Sequence, residues 1–197
     1  RHLFDSLEQM RNRGNGKGGG GAMVGLDPEQ FGVDQETLSG TYLYAIAYLD
    51  STHRTSVEES FIHPNFLVEH VHEMPTLDSW EAELEALDTR PPDVVCYFVT
   101  PREDEVDRFI SERLGDVIDP RDRELATQEF VFQTTHSLNV EFYAKDGRTD
   151  AFVLSHGRDL LILKIVGYAE DVIRYYCLED TTAHVWIGHH RYPTRGR

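Results

Sequence analysis

The chain has 197 residues, of which 40% are hydrophobic, and its formal net charge is −16. This length and composition can bury one sizeable core, while the acidic charge excludes nucleic acids and anionic membrane surfaces as partners, because both would repel it. No apolar run approaches the roughly 20 residues of a membrane span, and no secretory signal pattern opens the chain, so we expect a globular cytoplasmic protein.

The few cysteines and lysines add two expectations. Cys96 and Cys177 both stand in apolar surroundings, so we expect two reduced, buried thiols and no nucleophile. Lysine occurs only at Lys17, Lys145 and Lys164, and arginine supplies the other positive charges. A high-salt cytoplasm and a GC-rich genome explain that bias equally well.

The first part of the chain predicts a helix, a glycine loop and a strand. Leu3, Phe4, Leu7 and Met10 recur at helical spacing, which predicts a helix over residues 2–12. The glycine-rich residues 13–21 lead into a strand over 22–26. The loop does not match a phosphate-binding P-loop, because Lys17 is followed by glycine, and it does not match a dinucleotide fingerprint, because it follows a helix.

The middle of the chain predicts an α+β lobe, which we place at residues 50–150. Alternation predicts a strand over 41–49 ahead of it. Helices are predicted over 78–87 and over 103–114, the second with Thr100 as N-cap and Pro101 in its first turn. Further strands are predicted over 93–99, 130–132, 138–144 and 151–154. Strands and helices in this order are typical of α+β packing.

Histidines in the middle of the chain raise the question of a metal site. His70 and His72 alternate along one predicted strand, so both imidazoles would lie on one face, with His63 nearby in sequence. An exposed strand edge explains the pattern as well as a metal site does. We assign no metal ligands.

The last part of the chain carries the candidate binding residues. The β-branched and aromatic run 185–187 predicts a buried strand that ends at Gly188. This strand would place His189, His190 and Arg191 at its C-terminal end, with the two histidines on opposite faces. An arginine there can bind a carboxylate bidentately or form a structural salt bridge.

Residues 188–196, Gly-His-His-Arg-Tyr-Pro-Thr-Arg-Gly, resemble a motif of the class II glutamine amidotransferases, the N-terminal-nucleophile type. Two further segments match that family in the same order. One is the helix, Arg13-Gly14 turn and small-residue strand at the start. The other is residues 154–164, which are similar to glutamate synthases; this similarity implies an apolar strand over 160–164 and a helix over 169–177. The resemblance implies that Arg191 binds the α-carboxylate of glutamine and that Thr194 helps to hold it. It also places Tyr192 and Arg195 in the substrate site, and Arg13 and Gly14 in an active-site loop. His190 departs from the family, which usually has threonine or serine there.

The fold implied by this resemblance is part of an αββα Ntn-hydrolase sandwich with an inserted α+β lobe, whereas periodicity alone indicates only α+β. The implied reaction is hydrolysis of L-glutamine to glutamate and ammonia, with no cofactor, for a synthase domain or subunit that accepts the ammonia. The family's nucleophile is a terminal cysteine and its oxyanion hole is an asparagine–glycine pair downstream, so we expect residues 1–197 to contain no catalytic residue and to be incomplete at both ends.

The sequence leaves three alternatives open. Another class II transferase, acting on a phosphosugar or an asparagine precursor, would share the arginine motif but not the match at residues 154–164. A non-catalytic module could use Arg191 and Thr194 to sense an amino acid. In an acidic α+β scaffold, Arg191 would instead pair with a buried carboxylate.

Overall fold

Two antiparallel sheets and their helices make up the structure, a computed structural model that describes residues 2–14, 16–85, 87–113, 115, 119–144 and 149–190. The helices are α1 (His2–Gln9), α2 (Gln35–Gly40), α3 (Arg54–Val57), α4 (Trp80–Glu83), α5 (Glu103–Arg113), α6 (Pro120–Asn139) and α7 (Ala169–Tyr175). The strands are β1 (Gly19–Leu26), β2 (Tyr42–Tyr48), β3 (Phe66–Glu73), β4 (Asp93–Pro101), β5 (Ala151–Ser155), β6 (Leu160–Ile165) and β7 (Ala183–His189). The predicted mixed α+β class is therefore confirmed.

The smaller sheet has the strand order β6-β1-β7, and only one of its faces is covered by helices in the part of the chain that the structure describes. Met23 of β1 pairs with Leu161 on one side and with Trp186 on the other, so these side chains share a face. Met23 and Leu161 on this face are fully buried. Helices α1 and α7 pack here, since Cβ atoms built at Gly188 and Gly19 would touch Leu7 and the start of α7.

The opposite face of the smaller sheet is open among the described residues. Val24, Val185 and Ile187 lie there with 42%, 50% and 60% of their surface exposed. The prediction of a buried strand over 185–187 was therefore wrong in its burial, although the strand itself is confirmed. An apolar run indicates a strand that can be covered on both faces, but it does not say what covers it.

The larger sheet has the order β3-β4-β2-β5 and is covered on both faces. Every residue of β2 is buried, and its alternate side chains enter two different cores. Leu43 and Ala45 join the core shared with the smaller sheet and α7. Tyr44 and Ile46 join a second core formed with α5 and α6. The larger sheet therefore lies between the α5–α6 layer and the remainder of the molecule.

A polar network at one end of the second core joins the buried residues Tyr48 and Tyr97 to the half-buried residues Glu58 and Arg54. The hydroxyls of Tyr48 and Tyr97 are 3.0 Å apart, and Tyr97 donates to Glu58 Oε1 over 2.8 Å. Arg54 Nε also donates to Glu58, over 2.9 Å. Burial is the largest single influence and raises the pKa of Glu58, but the two hydrogen bonds, together with the nearby charges of Arg54 and His63, outweigh it and lower the pKa.

The strands predicted over 130–132 and 138–144 were wrong, because residues 120–139 form helix α6 and a π-helical turn follows over Val140–Ala144. Asp119 accepts a hydrogen bond from Arg121 N over 2.8 Å and Pro120 occupies the first turn, which starts the helix. Phe130, Thr134 and Leu138 then recur at a spacing of four, giving one buried face. The aromatic and β-branched residues had favoured a strand locally, but packing against the larger sheet favours the helix.

Two predicted helices differ in their boundaries. Thr100 and Pro101 end strand β4 and do not cap α5, whose first turn closes when Val106 N donates to Arg102 O over 3.0 Å. The helix predicted over 78–87 is only α4, although Leu84 and Leu87 beyond it are buried as expected. Within the described residues, no helix has the length and apolar character needed to cross a membrane.

Candidate functional site

The structure describes only part of the predicted glutamine site. Arg191, Tyr192, Thr194 and Arg195 lie outside the described residues. Their sequence neighbour His190 is described, as are Arg13 and Gly14. The placement of these residues shows whether the segments at the two ends of the chain meet.

The Arg13-Gly14 turn lies against the end of β7, although the two segments are at opposite ends of the sequence. A Cβ built on Gly14 would lie 3.0 Å from His190 Cβ and 2.9 Å from Tyr168 Cε1, both closer than carbon atoms normally approach. No side chain larger than that of glycine fits here without movement of its neighbours. Gly14, in the predicted active-site loop, therefore contacts the segment that resembles the glutamine-binding motif, which begins at Gly188.

His190 is buried, with 6% of its surface exposed, and is held from several sides. Its Nε2 lies 2.9 Å from Leu7 O, so this nitrogen carries a proton and donates to the carbonyl. Its Nδ1 lies 3.4 Å from Ala169 N and also 3.4 Å from Glu170 Oε2. The ring edge packs against Tyr168, with centroids 5.9 Å apart. His190 thus connects α1, α7 and the end of β7.

Glu170, in the first turn of α7, is buried as well, with 1% of its surface exposed, and so is its neighbour Asp171 with 3%. Arg11 Nη1 lies 3.5 Å from Oε1, beyond good hydrogen-bond geometry. Among the described residues, neither carboxylate oxygen has a hydrogen-bond partner. Arg11 also stacks over Tyr168, with its guanidinium carbon 4.6 Å from the ring centroid. We call Glu170, His190, Arg11 and Tyr168 the Glu170 cluster.

Sequence reasoning did not single out Glu170. It predicted the helix over 169–177, but an acidic residue in the first turn of a helix is usually solvated and stabilised by the helix dipole. The neighbouring Asp171 is buried too, but its Oδ2 accepts a hydrogen bond from Tyr168 N over 3.0 Å, whereas the oxygens of Glu170 accept none among the described residues. Only the packing of α7 against the glycine-rich start of β1 places Glu170 in the interior.

The two cysteines differ in exposure. Cys96 is buried on β4, and burial raises the pKa of its thiol to about 12. Cys177 is exposed, which corrects the expectation that both thiols are buried, because the chain turns away from α7 there with a positive φ of 52°. It follows the C-terminal end of α7, whereas the Glu170 cluster lies at the N-terminal end. Neither thiol belongs to the candidate site.

The histidines of β3 pack against aromatic rings. The ring centroid of His72 lies 5.1 Å from that of Phe31, and the centroid of His70 lies 5.9 Å from that of Phe98. Burial, followed by the neighbouring His70, lowers the pKa of His72. In the part of the chain that the structure describes, no three histidine, cysteine or acidic side chains gather as a metal site requires.

A cavity of about 540 Å³ lies between α1, the end of α7 and β7. Its wall consists mainly of Leu3, Phe4, Ile173, Leu178 and Trp186. Such an apolar wall suits a hydrophobic group and not the two charges of a free amino acid. We therefore do not place the glutamine site there, and the polar residues of the Glu170 cluster do not line it.

No family model matches the chain. The chain is 27% identical over 192 residues to an uncharacterized protein of Archaeoglobus fulgidus. The match includes 97% of this chain but 42% of the relative, so the chain spans less than half of that protein's length.

Proposed function

We propose that the chain is part of a class II glutamine amidotransferase of the glutamate synthase type, which hydrolyses L-glutamine to glutamate and ammonia. The observation that carries this proposal is the contact between Gly14 and His190. It joins the two segments that most specifically resemble the family, and a binding site built from both ends of the chain requires such a contact.

The smaller sheet supports the finer proposal of an αββα sandwich. Helices α1 and α7 cover one of its faces, while apolar side chains are exposed on the other, among them Val185 and Ile187. A sandwich of this type buries the inner face of each sheet against a second sheet. An apolar face opposite the helices is what one half of such a sandwich would present.

In the proposed reaction, Arg191 binds the α-carboxylate of glutamine and Thr194 adds a hydroxyl contact. A cysteine thiolate attacks the side-chain amide carbon, and the tetrahedral intermediate expels ammonia to leave a thioester. Water then cleaves the thioester to release glutamate and regenerate the thiol. Since neither Cys96 nor Cys177 lies at the candidate site, this chain would supply the glutamine-binding residues and not the nucleophile. We propose a cytoplasmic synthase as the acceptor of the ammonia.

Glutamine binding to the purified chain tests the proposal. L-Glutamine should raise the melting temperature of the wild-type chain and give a saturable calorimetric isotherm, and Arg191→Ala should abolish both. The matched control is Arg108→Ala on α5, whose exposed guanidinium pairs with Glu105 away from the smaller sheet. Absence of binding by the wild type, or equal binding by Arg191→Ala, would refute the proposed function. Ammonia release by residues 1–197 above the Arg191→Ala background would refute the assignment of the nucleophile to another segment.

A second candidate is an amino-acid sensor without catalysis, which would need the binding residues but no nucleophilic thiol. A sensor would bind L-glutamine through the same arginine but would not release ammonia in the natural full-length protein. A glutaminase assay of that protein separates the two functions, because the amidotransferase must turn over and the sensor must not.

A further inference from the structure

Helix α6 carries apolar side chains on two sides. Residues such as Phe130 on its inner side belong to the second core. Four large apolar side chains lie outside that core, each with between 46% and 63% of its surface exposed: Leu125, Phe132, Val140 and Tyr143. The first three are separated by seven and eight residues, which is two helical turns each, so they share the outer side of the helix. Tyr143 continues this row in the π-helical turn. We call these four residues the α6 stripe.

The surface around the α6 stripe carries little charge. Between Leu125 and Val140, Glu129 is the one residue with a formal charge, in a chain of which 27% of the residues are charged and whose net charge is −16. The Glu129 carboxylate accepts a hydrogen bond from Gln133 Nε2 of the same helix over 2.7 Å. The outer side of a surface helix is normally polar and charged, so this side is suited to contact with another protein surface. Two copies of such an acidic chain repel each other least where charge-poor faces meet.

The two aromatic residues of the α6 stripe are held in place by neighbouring rings. The ring centroid of Phe132 lies 6.4 Å from that of His156, and the centroid of Tyr143 lies 5.2 Å from that of Phe152. Side chains fixed in this way lose little conformational freedom on association. Half-exposed residues of this size present about 100 Å² each, so the stripes of two copies present about 800 Å² of apolar surface. With the polar side chains between them the area passes about 1,000 Å², the lower end of specific interfaces.

The α6 stripe is complementary to a second copy of itself when the two helices run antiparallel. Leu125 and Tyr143 lie equally far from Thr134 on either side, and so do Phe132 and the exposed His136. A two-fold axis beside Thr134 therefore sets Leu125 opposite Tyr143 of the second copy. The same axis sets Phe132 opposite His136 of the second copy. Each contact occurs twice, as a symmetric interface requires.

We propose that the chain forms a symmetric dimer through the α6 stripe, with the two α6 helices antiparallel and in contact. The antiparallel arrangement keeps the two Glu129 carboxylates about 15 Å apart along the helices, whereas a parallel one would set them side by side. A second copy fits this face because the face has a symmetric apolar pattern and lacks the charges by which a different partner would be selected. The larger sheet separates α6 from the contact between Gly14 and His190, so the dimer does not depend on the proposed function.

Sedimentation equilibrium of the 197-residue chain tests the dimer. At about 100 μM the mass should approach twice 22.6 kDa, as for an interface of this modest area. Phe132→Glu places a carboxylate at the centre of the stripe and should weaken association by at least about tenfold. The matched control is Ile187→Glu, which places the same charge on an exposed apolar residue of the smaller sheet and should leave the dimer intact. Circular dichroism melting verifies that both variants fold. A monomeric wild type, a dimeric Phe132→Glu, or dissociation by Ile187→Glu as well would overturn the proposal.

Cross-linking tests the antiparallel arrangement without a disruptive substitution. In a Cys177→Ser background, which removes the exposed native thiol, Leu125→Cys and Tyr143→Cys chains are mixed and treated with a short bismaleimide. The mixture should give covalent dimers and neither variant alone should, because like positions would lie about 25 Å apart. Cross-linking of Leu125→Cys with itself, or none in the mixture, would overturn the arrangement.

Salt dependence distinguishes the apolar interface from a charge-paired one. Raising the NaCl concentration to about 1 M should strengthen the wild-type dimer, because salt screens the repulsion between two chains of net charge −16 and does not weaken apolar contacts. A dimer that weakens severalfold in salt would be held by ion pairs, and would overturn the assignment of the interface to the α6 stripe.

Discussion

Replacing Gly19 with alanine should destabilise the chain through one identifiable contact. Gly19 begins β1 directly beneath the start of α7. A Cβ at this position would lie 2.4 Å from the carbonyl carbon of Tyr168, 2.5 Å from Ala169 N and 2.8 Å from Tyr168 O. All three atoms belong to the backbone, so no side-chain rotation can relieve the clash. Either β1 or α7 must move.

The size of the effect follows from the kind of atom displaced. Added methyl groups in packed interiors cost about 1 to 3 kcal/mol, and we expect about 3 kcal/mol here because a helix must shift to make room. For a chain of this size each kcal/mol lowers the melting temperature by about 2 to 4 °C, so Gly19→Ala should melt about 6 to 12 °C below the wild type.

Urea denaturation and thermal melting, both followed by circular dichroism, measure this difference. The matched control is Gly40→Ala at the end of α2, where a built Cβ meets nothing within 4 Å. Alanine should be neutral there or stabilise the helix by up to about 1 kcal/mol. Equal stability of Gly19→Ala and the wild type would show that α7 does not approach β1 as closely as described, and would remove the packing that buries Glu170.

Three further predictions concern other parts of the chain. Gly14→Ala should cost about 1 to 2 kcal/mol in urea denaturation, because its Cβ would press on the Tyr168 ring and on His190; wild-type stability would contradict the contact between loop and strand end. Ellman's reagent should titrate one thiol, Cys177, in the folded chain and both thiols after denaturation, because Cys96 is buried with its pKa raised to about 12. Glu58 has a lowered pKa, so the stability it contributes is present near neutral pH and is lost as the pH falls below its ordinary value of about 4.5. Glu58→Gln should therefore lose less stability than the wild type on acidification. An equal loss would show that the hydrogen bonds from Tyr97 and Arg54 to the Glu58 carboxylate do not stabilise the folded chain.

The partly wrong interpretations share a physical cause. The run 185–187 correctly indicated a strand, but apolar side chains do not specify whether another layer covers them, and Val185 and Ile187 are half-exposed. Residues 130–132 are aromatic and β-branched, which favours a strand in a short window, yet they lie within the 20-residue helix α6. The longer spacing of Phe130, Thr134 and Leu138 carries the helical signal. A short stretch of sequence shows which side chains favour a strand or a helix, but it does not show which surface of the protein the segment packs against.

Local sequence patterns predicted the helix at the start, the strands β1, β2, β4 and β5, and helix α5, because period and breaker residues act over a few positions. The family resemblance added β6 and α7. The pairing of the strands, the contact of Gly14 with His190 and the burial of Glu170 beside it became evident from the three-dimensional structure alone. Those contacts join residues far apart in the chain, and their energies depend on burial and close packing, which no local pattern specifies. The candidate site therefore follows from how α7 packs on the glycine-rich strand β1.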